Sequence, residues 1–438
     1  MSSVVYVGVG QCGNQLLECL IENELNSKRH NYNYLQSPNE KLRCIFVDSE
    51  TKVINKIQSR SKFRNFIRTE NCITGLNGRG SNWCYGYYGC KTSPDITNNV
   101  LEKIRKEIER CDNYLGVVMC HSLGGGTGSG LGSKLTEMIR EEFQLQQILN
   151  CVVAPSDVGG DSPLQYYNCL LSLASLNRNS DGVMLFHNDS ILNQLGFNFV
   201  SPIKSASKDY KLTNHCRQLS GQQFQNYPQH QISIASFNNL ISTQISSLLA
   251  PCSSLYPWNS SKTYLNIEIN EILRSLCQFP DSKIFRCVSS NPNIDATKTW
   301  NDIAKSCVRQ LKIGYGNVFD TISSICCYRG IGRGKEHLPS ILTIQDQLNT
   351  KMDFVPWNKS DAIDMWMDAN AEDNKLITLG FNSGCITNYL KYVKFKSLEK
   401  FESSAYLHWY YRFGGQKVSI ELLGIRLNRH LGNIFKKF

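Results

Sequence analysis

The sequence predicts an α/β protein of more than one domain, and three stretches predict it. A short apolar strand pattern, Val4 to Val7, runs into the glycine turn Gly8-Val9-Gly10-Gln11-Cys12-Gly13 and then a helical pattern with Leu16, Leu20 and Ile21. A second apolar run, Gly116 to Cys120, leads to Gly124-Gly125-Gly126-Thr127-Gly128-Ser129-Gly130, after which Leu131, Leu135, Met138 and Ile139 share one helical face. Farther on, Phe237, Leu240, Ile241, Ile245, Leu248 and Leu249 make a buried helical pattern that ends before Pro251. Strand, glycine turn and helix, used twice, is the grammar of a parallel sheet covered by helices.

Composition narrows the class. With 438 residues, 41% of them hydrophobic and 10% aromatic, the chain is long enough for two or three globular domains. No window reaches membrane-spanning length, and Met1-Ser2-Ser3-Val4-Val5-Tyr6 lacks the basic stretch of a secretory leader, so a cytosolic protein without a membrane partner is expected. The 18 cysteines are scattered without a Cys-x-x-Cys pair, which points to reduced, mostly buried thiols rather than zinc or disulfides. The formal charge of +10 is spread along the chain with no dense basic block among aromatics. It reads as solvated surface, not a nucleic-acid footprint.

Taken in order, Gly8, Gly10 and Gly13 satisfy the G-x-G-x-x-G spacing of a Rossmann-like unit, and the next strand, Cys44 to Asp48, ends in the acid such a unit uses. A dinucleotide-binding oxidoreductase is therefore one reading. The second glycine loop argues against it, because one dinucleotide needs one pyrophosphate turn. Converging backbone N–H groups and the start of a helix make that loop an anion cradle, and a polyphosphate is the expected ligand. A flexible linker is the plainer reading of any glycine run, but ordered patterns flank this one closely. Asp48 and Glu50, just past a strand end, suit a hard metal ion. No Gly-x-x-x-x-Gly-Lys-Ser/Thr occurs, which excludes a P-loop.

Between the loops, Gly78-Arg79-Gly80-Ser81-Asn82-Trp83 precedes an amphipathic helix with Val100, Ile104 and Ile108 inward and Lys103, Arg105, Lys106, Glu107 and Glu109 outward. Residues 201–231 are a polar insertion, read as a surface loop. Ser324 to Gly330 and Lys375 to Thr378 are short strands of a second, smaller α/β domain, and helices dominate from Tyr389 on. The last helix is basic, with Arg426, Arg429, His430, Lys436 and Lys437.

Several of these stretches resemble one family. Gly10-Gln11-Cys12-Gly13-Asn14-Gln15, Val47-Asp48-Ser49-Glu50, Asn82-Trp83, Arg105-Lys106-Glu107, the Gly124 to Gly130 loop preceded by His121-Ser122, Asn188 with Asp189, Leu265-Asn266-Ile267-Glu268, Cys327-Tyr328-Arg329-Gly330 and Ala405-Tyr406-Leu407-His408-Trp409-Tyr410 look, in that order, like the tubulin superfamily. Lys52-Val53-Ile54-Asn55 and Trp83-Cys84-Tyr85-Gly86-Tyr87 look most like its delta type, with epsilon, zeta and eta types open.

The resemblance implies a nucleotide-binding domain at 1–235, a central helix at 236–251, an intermediate α/β domain at 252–388 and C-terminal helices at 389–438. It implies GTP or GDP with magnesium. Gly10, Gln11 and Cys12 would lie along phosphates and ribose, Gln15 nearer the base, and Ser122, Gly125, Gly126, Thr127 and Gly128 around the phosphates. Asp48 and Glu50 would hold magnesium through water, Asp161 the ribose, and the amides of Asn188 and Asn238 guanine's edge. Glu271, assisted by Glu268, would align the attacking water on a neighbouring subunit's nucleotide, so that hydrolysis is completed in trans. Each residue also has a plainer role: Ser122 and Thr127 as turn residues, Cys12 as a core thiol, Glu268 and Glu271 as helix-start acids favoured by the dipole.

Departures from the family pattern are Ser81 for a first asparagine, Gln165 for a ribose-contacting glutamate, Ile234 where a ring stacks on guanine (Phe237 or Tyr227 being substitutes), and Thr263 for a loop glycine. Other tubulin-family subunits, met end to end, and centriolar or basal-body microtubules are the implied partners, within the cytoplasmic cytoskeleton.

Overall fold

The computed structural model describes residues 2–26, 41–60, 65–89, 94–144, 146–156, 162–196, 233–250, 253–254, 268–290, 299–315, 318–330, 338–358, 363–367 and 375–414. Strand β1 (Ser2–Val9) lies between β2 (Cys44–Asp48) and β4 (Asn113–Ser122), with β3 (Cys72–Thr74) outside β2 and β5 (Gln147–Ala154) and β6 (Gly182–His187) beyond β4. The order β3-β2-β1-β4-β5-β6 is parallel throughout. Doubly wound sheets of this order reverse direction at the β1/β4 boundary, and a crevice forms there beyond the carboxyl ends of the strands.

Side-chain alternation divides the strands between two helical layers. Val5, Val7 and Val9 pack on one face with Val100 and Ile104 of α4 (Pro94–Glu109) and Leu135 and Ile139 of α5 (Gly132–Glu142). Val4 and Tyr6 pack on the other with Leu16, Leu17 and Leu20 of α1 (Gly10–Asn26) and Leu240, Ile241 and Ile245 of α8 (Ile234–Leu249). Burying an aliphatic side chain of this kind contributes about 1.5–3 kcal/mol. The amphipathic stripe therefore holds each helix more than its surface charges do.

The sheet does not stop at β6. It continues through β8 (Ile284–Ser289), β12 (Leu376–Ser383), β9 (Val318–Arg329), β11 (Ile363–Met367) and β7 (Ser253–Ser254), with β10 (Met352–Phe354) beside β9, to twelve strands among the described residues. This far half mixes parallel and antiparallel pairs, and its core packs on α10 (Trp300–Tyr315) through Ile303, Cys307 and Leu311. On the near half, α12 (Ile386–Glu402) covers α6 (Gln165–Asn179), Tyr389 and Val393 meeting Leu170 and Leu173.

The helix expected near residue 236 begins at Ile234, where the Ser233 hydroxyl accepts the Ala235 N–H at 3.2 Å. Its far end is held by a buried cation. Arg329 on β9 donates from Nε to the Ser247 carbonyl at 3.0 Å and from Nη2 to the Ala250 carbonyl at 2.6 Å. Carbonyls at a helix C-terminus carry partial negative charge, so a guanidinium is the matching cap.

Glu107 corrects the outward face read for α4. It is 0% exposed, and its carboxylate accepts from Arg68 Nη1 at 3.0 Å, Asn71 Nδ2 at 2.9 Å and Arg110 Nη1 at 2.6 Å. Helical spacing placed it beside Lys103, but the segment before β3 supplies two partners that sequence periodicity does not register. The described cysteines are mostly buried. No described helix is long and apolar enough to cross a membrane. The 201–231 insertion, the 265–267 stretch and the basic terminal helix lie outside the described residues.

Candidate functional site

The two glycine turns are packed directly against each other at the carboxyl ends of β1 and β4. Gly10 has φ +72°, a left-handed conformation that disfavours a side chain, and a Cβ there would lie 3.0 Å from the Gly128 nitrogen and 3.4 Å from Thr127 Cβ. Helix α1 begins at this residue. Its first N–H groups have no partner within the helix and face the crevice end of the sheet. Asn14, one turn in, ties α1 to β2 by donating from Nδ2 to the Val47 carbonyl at 2.9 Å, while its Oδ1 is buried without a partner among the described residues. Gln11 is exposed; Cys12 and Gln15 are half-buried. Burial pushes the Cys12 thiol up to about 12, so at neutral pH it is a packed thiol and not a thiolate.

The second loop winds into a π-helical turn, Thr127–Leu131, before α5. Such turns are rare and recur at functional sites. Thr127 shares a 2.6 Å hydrogen bond with the Ser49 hydroxyl, joining the loop to the turn after β2, and the Ser129 hydroxyl donates to the Gly125 carbonyl. The Ser122 hydroxyl nestles under the loop: a Cβ on Gly128 would meet it at 2.8 Å and one on Gly125 at 3.4 Å.

A third wall comes from the Gly78–Ser81 stretch and α3 (Trp83–Tyr88). A Cβ on Gly126 would lie 2.6 Å from the Arg79 carbonyl oxygen, and one on Gly130 would lie 2.3 Å from the Trp83 oxygen and 2.7 Å from Gly86 Cα. Asn82 caps α3, its Oδ1 accepting the Tyr85 N–H at 3.1 Å, and its Nδ2 is buried without a partner among the described residues. An orphaned amide donor beside a glycine loop suits a phosphate oxygen.

Asp48 and Glu50 stand at the end of β2. Asp48 is buried, and burial foremost raises its carboxyl to about 6; the Glu50 N–H donates to its Oδ1 at 3.4 Å. Glu50 is exposed, and its carboxylate lies over Gly78, where a Cβ would meet Oε1 at 2.2 Å. No cluster of three or more ligating side chains occurs among the described residues. Two carboxylates fit magnesium, which keeps water ligands and takes oxygens from a phosphate, and do not fit a closed protein cage.

For a base, Asn238 is buried on α8, and Asn188 is the half-buried first residue of α7 (Asn188–Gln194). Helix α8 lies against both α1 and α7, through Asn23 Nδ2 to Ser242 Oγ at 2.8 Å and Gln244 Nε2 to Gln194 Oε1 at 2.8 Å. Gln15 and the two asparagines therefore sit on neighbouring helices. Ile234 is 65% exposed at the start of α8, while Phe237 is partly buried against the core. Gln165 donates from Nε2 to the Ser156 carbonyl at 3.4 Å. Asp161 and Tyr227 lie outside the described residues.

Glu268 and Glu271 are elsewhere. They begin α9 (Ile269–Leu276) as a capping box, the Glu268 N–H donating to Glu271 Oε2 at 3.0 Å, and Glu271 is exposed. Leu273 of α9 borders Gly182, the first residue of β6, whereas the glycine loops follow the last residues of β1 and β4. Helix α9 thus packs at the amino ends of the parallel strands, and the glycine loops lie at their carboxyl ends.

Sequence reasoning missed Asn168. It is fully buried on α6 and uses its whole amide: Nδ2 donates to the Ser81 and Gly124 carbonyls, both at 2.8 Å, and Oδ1 accepts from the Trp83 N–H at 2.9 Å and the Tyr410 hydroxyl at 2.7 Å. The available signal was one amide inside the apolar run Tyr166-Tyr167-Asn168-Cys169-Leu170-Leu171.

Residues 3–196 match the family model described as Tubulin/FtsZ family, GTPase domain. Over 94% of this chain, the Tubulin delta chain of Homo sapiens is 26% identical, with 95% of that protein covered, and that of Macaca fascicularis is 25% identical. The Tubulin beta-1 chain of Glycine max is also 25% identical, with 89% of it covered. The tubulin-superfamily resemblance, with delta chains among the similar proteins, is what these comparisons find. A GTPase domain of this family implies guanine nucleotide, and two glycine loops on one crevice agree with it better than with a dinucleotide.

Proposed function

We propose that this tubulin-superfamily chain is a delta-type tubulin that binds GTP and magnesium in the β1/β4 crevice and serves as a structural subunit in centriole or basal-body microtubules. The observation that carries the reading is the interlocking of Gly10, Thr127 and Gly128 with Ser49, which brings the ends of β1, β2 and β4 together around one crevice. Gly10, Gln11 and Cys12 would border phosphates and ribose, and Ser122 with Gly125 to Gly128 would surround the phosphates. The buried Asn82 amide donor, without a partner among the described residues, would serve the terminal one. Asp48 and Glu50 would hold magnesium, which supplies charge neutralisation at the phosphates. Gln15, Asn188 and Asn238 would read the base, with Asp161 at the ribose.

Phosphoryl transfer needs an oriented water and charge stabilisation more than a covalent nucleophile. The loops supply the second. Glu271, with Glu268, would supply the first to a neighbour, and the packing of their helix at the amino ends of strands whose carboxyl ends carry the loops supports a head-to-tail stack in which each subunit completes the next one's site. The isolated chain is then a weak GTPase. The proposed units are the nucleotide domain 1–235, the central helix 236–251, the intermediate domain 252–388 and the C-terminal helices 389–438.

Chromatography of the nucleotide released by denaturing purified protein tests the binding. GDP or GTP near one per chain is expected. NAD would replace the proposal with a dehydrogenase, and rapid GTP turnover at low protein concentration would remove the trans arrangement.

A further inference from the structure

The contacts of Asn168 join three parts of the molecule that the nucleotide reading leaves separate. Its Nδ2 holds the phosphate loop by the Gly124 carbonyl and the third wall by the Ser81 carbonyl. Ser81 has φ +49°, a left-handed conformation unfavourable for serine. Its Oδ1 holds the first N–H of α3, the helix on which Gly130 packs. The fourth bond comes from the far end of the described chain, the Tyr410 hydroxyl on α13 (Leu407–Arg412), 242 positions away.

Tyr410 is 0% exposed and packs with Trp83, Leu164, Tyr167 and Leu407, and its hydroxyl also reaches the Leu164 carbonyl at 3.4 Å. Just beyond, Phe413 stacks on Tyr85 with ring centroids 4.3 Å apart, and the Arg79 guanidinium lies 5.2 Å from the other aromatic partner's centroid, that of Tyr85. The end of α13 is therefore stapled to the same stretch, Arg79 to Tyr85, that walls the phosphate loop.

We propose that Asn168 and Tyr410 are a positioning pair for the nucleotide: the Tyr410 hydroxyl fixes the Asn168 amide, and the amide fixes the phosphate loop and the Ser81–Trp83 wall. A side-chain amide with donors and acceptor all engaged has one rotamer and one flip state. Without the Tyr410 hydroxyl, Oδ1 keeps only the Trp83 N–H and the amide gains freedom to rotate, which releases both carbonyls together. Site geometry thereby becomes sensitive to the seating of α13, whose other face leaves Trp409 and Tyr411 exposed. For its ligand the pair rests on the guanine-nucleotide reading; for its effect on the loop it does not.

Tyr410→Phe tests it, with Tyr167→Phe as control. Tyr167 is equally buried in the same cluster, but its hydroxyl bonds the Ala405 carbonyl at 3.3 Å instead of Asn168. Two quantities are measured on the full chain. One is the dissociation rate of methylanthraniloyl-GTP; the other is amide hydrogen exchange across 122–131 and at Trp83 in nucleotide-free protein. Tyr410→Phe should speed both by about five- to tenfold, the size of one buried hydrogen bond, and Tyr167→Phe should change neither. Unchanged exchange and dissociation in Tyr410→Phe would overturn the pair, as would equal changes in both variants. If the wild-type chain bound no guanine nucleotide, the functional reading would fall, and exchange alone would still decide the pair.

Discussion

Replacing Glu107 by Gln removes a carboxylate from a site with no exposure while keeping its shape. In the wild type the two oxygens accept from Arg68, Asn71 and Arg110 at 2.6–3.2 Å. The Arg68 side chain is 11% exposed, so without Glu107 its charge would remain in a poorly solvated pocket; the Arg110 side chain is 36% exposed and keeps Glu70 at 3.2 Å, so it would lose little. Removing one member of a buried pair costs about 3–5 kcal/mol, and a glutamine that still accepts from Asn71 brings the expected loss to about 2–4 kcal/mol. Arg68 and Asn71 also donate to the Leu42 and Cys44 carbonyls at 3.2 and 3.0 Å, so the start of β2, and through it Asp48, should loosen as well. Urea unfolding followed by tryptophan fluorescence reads the stability change, and the double variant with Arg68→Met should recover part of it. A loss under about 0.5 kcal/mol would refute the buried network, because that is all an outward Lys103–Glu107 helical pair supplies.

Gly130→Ala should lower stability by about 1–3 kcal/mol and weaken nucleotide retention, since its methyl would overlap the Trp83 carbonyl and the Gly86 backbone; calorimetry and nucleotide content check both. Asp48 titrates near 6 against an ordinary 3.8, so between those values the folded chain holds the extra proton. Metal-free stability therefore falls as pH rises through that window, and magnesium, which needs the carboxylate, should bind about fourfold more weakly at pH 5.5 than at pH 7.5. Asp48→Asn should flatten both profiles, measured by denaturation and by magnesium titration of nucleotide affinity. Glu271→Gln keeps a side chain able to cap α9, whereas Glu271→Ala should cost about 0.5–2 kcal/mol of stability. Under the proposed trans role both should stop phosphate release in assemblies, and equal release from Glu271→Gln and wild type would leave the residue a cap.

Legibility in the sequence tracks the range of the contacts. The glycine turns, the strand end at Asp48 and the helix from Ile234 each depend on a dozen neighbouring residues, so pattern alone located them. Glu107 was misread because its partners Arg68 and Asn71 lie 39 and 36 positions away, and a helical wheel sees only three or four. Arg329 was visible as part of Cys327-Tyr328-Arg329-Gly330, but its grip on the end of α8, 82 positions back, was not. Continuity of the sheet from β6 into β8 was hidden too, because it rests on a short parallel pairing of Val183 and Met184 with Ile284 and Phe285 across a long excursion of chain.

The glycine signature itself changes meaning once its neighbours are known. Composition suggests that five glycines serve one end, letting backbone N–H groups crowd a phosphate. In the structure, Gly126 and Gly130 are glycine because Arg79, Trp83 and Gly86 press against them, and Gly128 because Ser122 does; Gly10 answers from the other turn. Gly124 and Gly125 have room: a Cβ on either would meet its nearest neighbour at 3.4 Å, an ordinary contact. An alanine series should therefore split. At 126, 128 and 130 it should lower stability with or without nucleotide, since the clash is internal. At 125 it should leave the nucleotide-free fold nearly unchanged and weaken binding only if a phosphate approaches that backbone, which makes Gly125→Ala the position where packing and ligand recognition come apart.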